Sequence, residues 1–331
     1  MNAIAIPSQK QSALVPRYAR GVDPSGLVGP HTLAVFGFGA AAPVTLHDPR
    51  YLHIGLQPSD GAAWFEIWES PTPVRVYRDG LICGASNEEV AFGWIECVEG
   101  EHGLEGAAHS AYQALLVQLA SSQFPHLLRV WNYLDAITEG EADDERYRQF
   151  CVGRAAGFAA HAERFPAATA IGRRDGRRVL QVYWLSAKAA GTPLENPRQM
   201  AAWRYPREYG PRSPSFVRAM LAPPQVRLPL MLSGTAAILG HASQHVDDVP
   251  AQLDETMRNF SALIDAARVV QPDLSAGFDG SSLLKVYLRD GQRGFEALLD
   301  RYLPADVSRL VVYADICRSN LAIEIDGFHG R

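Results

Sequence analysis

The sequence predicts an α+β protein in which two tandem β-α-β-α-β units lay their helices on one side of a mixed sheet. Three observations carry this prediction. An apolar run with aromatics occurs twice, as Leu127-Leu-Arg-Val-Trp-Asn-Tyr-Leu134 and as Leu283-Leu-Lys-Val-Tyr-Leu288. An amphipathic helical pattern precedes each run and another follows it. Strand-like segments open and close each half.

The first ~80 residues, rich in Pro and Gly, read as extra strands and loops rather than as a separate domain. Within them Gly37-Phe-Gly-Ala-Ala-Ala42 fits the dinucleotide pattern GxGxxA. That pattern needs a helix to begin at once, so that its N-terminus can hold a pyrophosphate. Pro43 and the β-prone Val44-Thr45 follow instead, so a glycine-rich turn is expected. The first unit opens with a strand over Ala91–Val98. Tyr112, Leu115, Leu116 and Leu119 then recur at helical spacing before the first apolar run. A second helix is predicted over Arg146–His161, with Tyr147, Phe150, Cys151 and Phe158 on one face, and a strand over Val179–Leu185 closes the unit. The polar loop Gly191–Ser213 holds the boundary, which divides the chain into residues 1–195 and 196–331.

The second unit opens on Leu230–Ile238. Asp247-Asp-Val-Pro250 supplies a cap and a proline, a usual helix start, and Leu253, Met257, Phe260 and Ile264 continue at helical spacing. After the second apolar run come a helix over Phe295–Tyr302 and a strand over Leu310–Ala314. The last strand, Leu321–Ile325, places Leu321, Ile323 and Ile325 on one face and Glu324 on the other, with Cys317 and Arg318 just upstream. Taken alone it is an edge strand with one wet face.

Composition narrows the function. A chain of 331 residues, 47% hydrophobic and 20% charged, is an ordinary globular protein able to bury a substantial core. The net charge of −5 gives no electrostatic reason to expect nucleic acid as a partner. Cys83, Cys97, Cys151 and Cys317 are widely spaced with no CxxC pair, so neither a zinc site nor a disulfide framework is indicated. The N-terminus lacks a long apolar run and a cleavage site, and no segment reaches transmembrane length, so a cytoplasmic location away from membranes is expected. Only Lys10, Lys188 and Lys285 are lysines. A GC-rich genome produces such a bias, yet arginine is also the better residue for gripping a carboxylate with two parallel hydrogen bonds.

Two further patterns carry little. His241-Ala-Ser-Gln-His245 has metal-ligand spacing on a helix, but no glutamate follows the first histidine and no third ligand can be named. A capping or hydrogen-bonded role is expected. Ser233-Gly-Thr235 lacks the GxSxG elbow of a nucleophile.

One stretch is dense in cations and phenols, Glu195 to Arg218. Its prolines oppose regular structure. A solvated loop has no need of Trp203, Tyr205, Tyr209 and Phe216, whereas a loop over a small anionic ligand uses aromatics as walls and arginines as clamps. The plainer alternative is a structural loop whose arginines pair with surface acids. Arg154 falls on the apolar face of its predicted helix, where a charge must be paired or face a cavity. A ligand carboxylate or an internal acid can fill that need.

Taken together, Trp131-Asn-Tyr133, Glu145–Arg154, Asn196-Pro-Arg-Gln199, Tyr205-Pro206, Tyr209-Gly-Pro211, Pro214-Ser-Phe216, Ser233-Gly-Thr-Ala236, Gly240-His241 and Ala314–Gly327 make the chain similar to the chorismatases. The resemblance implies chorismate as substrate, loss of pyruvate and no cofactor. It also implies domains similar to the small trimeric RidA/YjgF proteins. Two such units in one chain explain the duplication, as a monomer with pseudo-trimeric architecture. Chorismate carries two carboxylates, which Arg148, Arg154 and Arg218 with Tyr205 and Tyr209 can clamp. Glu324 matches the family's catalytic acid. It would protonate the enol-ether methylene, and an oxygen nucleophile would attack the resulting oxocarbenium ion.

The nucleophile decides the product. Attack by the ring 4-hydroxyl leads to 3-hydroxybenzoate, and attack by water leads to a dihydroxycyclohexadiene carboxylate. The family's hydroxybenzoate formers carry a cysteine seven positions before the glutamate, where this chain has Cys317. Its single-product formers carry a glycine after the Ser-Gly-Thr turn, where this chain has Ala236-Ala237. Mixed 3- and 4-hydroxybenzoate formation and hydrolysis therefore stay open. Two other classes compete: a RidA-like imine hydrolase or metabolite binder, and a non-catalytic interaction protein.

Overall fold

Both apolar runs become the second strand of a β-α-β-α-β-β unit. The structure, a computed structural model, describes residues 11–158, 165–289 and 294–330. Seven strands come first: β1 (Val15–Arg20), β2 (Thr32–Phe38), β3 (Tyr51–Ile54), β4 (Gln57–Pro58), β5 (Trp64–Glu69), β6 (Arg75–Asp79) and β7 (Ile82–Ser86). The first unit is β8 (Val90–Val98), α1 (Gly103–Ser121), β9 (His126–Asp135), α2 (Arg146–Gly157), β10 (Ala167–Arg173) and β11 (Val179–Ala187). Short strands β12 (Thr192–Leu194) and β13 (Ala219–Leu221) lead into the second unit. That unit is β14 (Leu230–Thr235), the small pair β15 (Ile238–Leu239) and β16 (Ala242–Ser243), α3 (Val249–Val270), β17 (Leu283–Leu288), α4 (Phe295–Leu299), β18 (Ser308–Tyr313) and β19 (Ile323–His329).

The two units share one strand order. The first sheet runs β10-β9-β11-β8-β7-β6 and the second β12-β13-β14-β19-β17-β18-β4. In each, the last strand of the unit inserts between its first and second, antiparallel to both, and the third lies parallel to the second. The N-terminal sheet, β1-β5-β2-β3, repeats this order a third time. Only a 3-10 turn (Pro24–Leu27) connects β1 to β2, and no α-helix connects β2 to β3. The chain thus holds three copies of one sheet, two of them covered by helices.

Packing follows from the alternation of each strand. The inner faces of the three sheets meet in one core, with Phe36 and Trp68 from the N-terminal sheet, Trp131 and Tyr183 from the first unit, and Tyr287 and Phe328 from the second. Their rings interlock, with Trp131 stacked on Tyr183 at 4.7 Å and Trp68 edge-on to Phe328 at 5.8 Å. The outer faces of the two units bury separate cores under α1 with α2 and under α3 with α4. Two fully buried ion pairs cross between sheets: Arg129 of β9 to Asp326 of β19 at 3.1 Å, and Lys285 of β17 to Glu66 of β5 at 2.6 Å. Arg129 and Lys285 hold the same place in the two repeated runs.

Several expectations need correction. The strand holding Glu324 is not an edge: β19 lies between β14 and β17. It starts at Ile323 and continues to His329, while Leu321 belongs to the preceding turn and packs in the central core. The helix expected over Arg146–His161 ends at Gly157 with Phe158 as its cap, and the last three of those residues lie outside the described ones. α4 stops at Leu299 rather than Tyr302. Strand β10 was not foreseen. The start of α3 is as expected, with the Asp248 side chain accepting from the Ala251 N–H and Pro250 in the first turn. The GxGxxA segment is the end of β2 and the turn that follows it, with Gly39 at φ +93°.

Candidate active site

A cavity of about 530 Å³ opens where β10 of the first unit meets β14 and β19 of the second. Its size suits a small metabolite. Glu324 forms its floor. On β19, Ile323 and Ile325 turn toward α3 and α4, so Glu324 must turn the other way, toward the first unit. Glu324 is only 5% exposed. Burial pushes its carboxyl up to about 8, helped by the nearby charge of Asp326 and opposed by Arg129, Arg218 and Arg318. A carboxylic acid in that range still holds its proton at neutral pH.

The strand beside it is shaped to admit that side chain. β14 pairs with β19 through a register shift between Leu232 and Thr235, which sets Gly234 against the acid. A Cβ at Gly234 would overlap the Glu324 carboxyl and lie 3.3 Å from Thr169 Oγ1. The Ser233-Gly-Thr235 segment is therefore an irregular strand fitted around the acid.

Helix α2 and the loop before β13 supply the cations. Arg154 is 3% exposed, and its Nε and Nη2 have no hydrogen-bond partner among the described residues. Its guanidinium lies 5.0, 5.9 and 5.5 Å from the rings of Tyr112, Phe150 and Phe158. No carboxylate among the described residues is within ion-pair distance of it, so the internal-acid alternative gains no support there. Arg218 donates from Nη2 to the Tyr205 hydroxyl at 2.7 Å and to the Met200 carbonyl at 3.0 Å, while its Nε is unpartnered. Glu195 is half-buried beside Arg218, and burial pushes its carboxyl up to about 7, so it cancels only part of that charge.

The other expected residues are placed as follows. Arg148 lines the cavity but is already shared between Asp143 at 3.8 Å and Glu145 at 3.6 Å. Tyr205 and Tyr209 form a wall, their rings 5.4 Å apart. Cys317 lines the cavity, and burial pushes its thiol up, so it presents a neutral S–H. Ala236 lines the cavity; Ala237 does not, and packs fully buried in the central core. Ala237 cannot touch a ligand here because its neighbour already occupies the wall.

Sequence reasoning left out three residues that the fold brings to this place. Arg318 lies 4.0 Å over the Tyr209 ring and donates to the His241 carbonyl at 2.8 Å. Thr169 reaches the cavity from β10, the strand that was not foreseen. Asp326 follows Glu324 by two residues on the same face, a signal that alternation alone could have given. His241 and His245 stand in the turn-rich segment before α3 rather than on a helix. His241 Nδ1 is 3.2 Å from the Tyr209 hydroxyl and His245 Nε2 is 3.8 Å from Glu255. Among the described residues no cluster of His, Cys, Asp and Glu could hold a metal, and no helix is long and apolar enough to cross a membrane.

Residues 66–186 match the family model described as "Chorismatase FkbO/Hyg5-like, N-terminal". A 3-hydroxybenzoate synthase from Streptomyces hygroscopicus is 35% identical over 327 residues, covering 93% of this chain and 94% of that protein. A chorismatase from Streptomyces rapamycinicus is 33% identical over 273 residues, covering 79% and 81%. A crystal structure of chorismatase superposes with a TM-score of 0.84 at 28% identity, over 96% of this chain and 98% of that one.

Proposed function

The chain belongs to the chorismatase family, and from that premise we propose that it cleaves chorismate to pyruvate and 3-hydroxybenzoate with Glu324 as general acid. One observation carries the assignment of roles. A buried acid pushed up to about 8 faces the same cavity as two buried arginines, Arg154 and Arg218, that have N–H groups to spare. An acid that keeps its proton at neutral pH suits protonation of carbon, a weak base. Unsatisfied buried guanidinium groups suit a substrate with two carboxylates.

The reaction follows from that geometry. Glu324 gives its proton to the enol-ether methylene, and the side chain becomes an oxocarbenium ion. The ring 4-hydroxyl attacks that carbon, and its proton restores the neutral acid. Loss of the ring C3 proton then breaks the C4–O bond and aromatises the ring. The hemiketal left on the 3-oxygen breaks to pyruvate and the phenol, which takes up that proton, with no net uptake of water. Arg154 and Arg218 hold the carboxylates so that the methylene meets Glu324. Cys317 provides a neutral wall on the cavity. Ala236, which lines the same cavity, favours a second product, because a methyl group there changes the space beside the ring. A share of 4-hydroxybenzoate, or of the hydrolysed dihydroxycyclohexadiene acid, belongs to the proposal.

The test is direct. Purified protein is incubated with chorismate without added metal or nucleotide, pyruvate is measured with lactate dehydrogenase, and aromatic products are separated by chromatography. Pyruvate and 3-hydroxybenzoate should rise together. Absence of pyruvate, or activity lost in EDTA and restored by zinc, overturns the proposal.

A further inference from the structure

We propose that Asp326 is a positioning residue for the acid: its carboxylate, set one strand-step from Glu324, holds the proton on Glu324 until the enol ether arrives. The proposal rests on the reading of Glu324 as general acid and adds the device that keeps that acid loaded.

Residues two apart on a strand project from the same face, about 7 Å apart. Asp326 therefore stands beside Glu324 in the buried interface of the two units, where it is 1% exposed. Three strands supply partners for it. Thr169 Oγ1 of β10 lies 2.7 Å from Asp326 Oδ2, Arg129 Nη2 of β9 at 3.1 Å and the Tyr287 hydroxyl of β17 at 3.1 Å. All three are donors to it, so the place is built for a carboxylate rather than a neutral acid. Arg129 also donates to Thr169 Oγ1 at 2.5 Å. The Thr169 proton is thereby committed to Asp326, although Thr169 lines the cavity. The cluster fixes one charge next to the acid.

That charge has work to do because the other groups facing Glu324 oppose it. Arg129 from β9, Arg218 from the loop before β13 and Arg318 from the loop before β19 all favour the ionised form of Glu324. Tyr147 of α2, Cys317 and Tyr287, its cross-strand partner on β17, also face it, and burial pushes all three up, so they stay neutral. A cavity that collects arginines to bind carboxylates would by itself strip the proton from its own acid. Asp326 resolves the conflict, since two neighbouring carboxyls in a dry site do not both ionise readily.

The sign of the effect is fixed. Activity needs protonated Glu324, so it falls as pH rises through the value for that group. In Asp326→Asn the opposing charge is gone and Arg129 is left unbalanced; both changes favour ionised Glu324. The basic limb of the kcat–pH profile for pyruvate release should move down by at least about one pH unit, roughly a tenfold loss at a pH above the limb. In Arg129→Gln the cation is gone and the limb should move up. Opposite displacements in the two variants do not come from general damage to the core. Circular dichroism and the melting transition identify which variants are folded; should Asp326→Asn not fold, Asp326→Ser, which removes the same charge with a smaller side chain, takes its place, and the same downward displacement is required. A limb that stays in place while kcat drops evenly at all pH values makes Asp326 a purely structural residue and overturns the inference. A wild-type profile with no basic limb, together with an active Glu324→Gln, would instead remove Glu324 from the acid role. The two failures are thus distinguishable.

Discussion

At the scale of single residues, the site is a set of groups kept in costly states. Glu324 has a folded-state value of about 8 against 4.5 in the unfolded chain. The folded state therefore binds a proton that the unfolded state has released, and stability falls as pH rises from about 4.5 to 8. Glu324→Gln removes this liability and the reaction's proton at once. It should cut kcat by more than tenfold while raising Tm relative to wild type at pH 8–9, by an amount worth a few kcal/mol that vanishes near pH 4. Retention of near-normal kcat would exclude the acid role; an unchanged Tm difference across pH would exclude the burial argument. Arg154 carries a related cost, since its guanidinium is buried among rings with no acid among the described residues beside it. Arg154→Ala should weaken substrate binding by about 2–4 kcal/mol, seen mainly in KM, while the fold keeps or gains stability. A large drop in Tm with normal KM would assign the arginine to structure. The placement of these residues was partly legible: strand alternation turned Glu324 away from the apolar face, and Arg154 stood out as a charge on an apolar helical face, whereas the acid role of Glu324 rested on the family resemblance. Thr169 was not read as a site residue, because its place depends on which strands become neighbours; Arg318 was noted only as a cation near Glu324, and Asp326 was passed over although alternation puts it on the same face.

At the scale of elements, legibility followed the strength of local signals. Helix α3 announces itself through the Asp248 cap, Pro250 and a regular apolar face, and it forms as expected. Strand β10, Ala167-Ala-Thr-Ala-Ile-Gly-Arg173, has small residues where a strand usually shows bulk. It is a strand because β9 offers a parallel edge, and its small side chains leave the cavity open. The β14 irregularity is likewise invisible locally, since Ser-Gly-Thr reads as a turn. Its function shows only against β19. Gly234→Ala would drive a methyl group into the Glu324 carboxyl with Thr169 behind it. We expect a loss of about 1–3 kcal/mol of stability, or an equivalent displacement of the acid with at least a tenfold lower kcat. Wild-type kcat together with wild-type Tm would show that β14 yields and that glycine there is incidental.

At the scale of the whole molecule, the three copies of one sheet place the cavity and predict an assembly state. The duplication was legible from the repeated apolar runs. The third copy was not, because the N-terminal sheet has neither the run nor the helices that made the other two recognisable. Three sheets create three contacts between neighbours, and they are not alike. Tyr183 faces Trp131 across β11 and β9 as Glu324 faces Tyr287 across β19 and β17. Where the second unit holds its acid, the first has a phenol stacked on an indole within its own sheet. The contact between β18 and the N-terminal sheet is closed by backbone pairing of β18 with β4 and by the Lys285–Glu66 pair. The contact of β10 with β14 and β19 opens as the cavity that holds Glu324. The same three sheets bury their inner faces against one another within one chain. A protein of this topology without the third sheet would leave an apolar face to be covered by another copy. Here the N-terminal sheet covers it, and the site draws its lining from one chain. Light scattering in line with size exclusion should therefore give a mass near 36.2 kDa, unchanged on dilution, with activity per chain independent of concentration. A stable trimer, or activity that falls on dilution, would mean that the N-terminal sheet does not complete the assembly and that a second chain contributes to it.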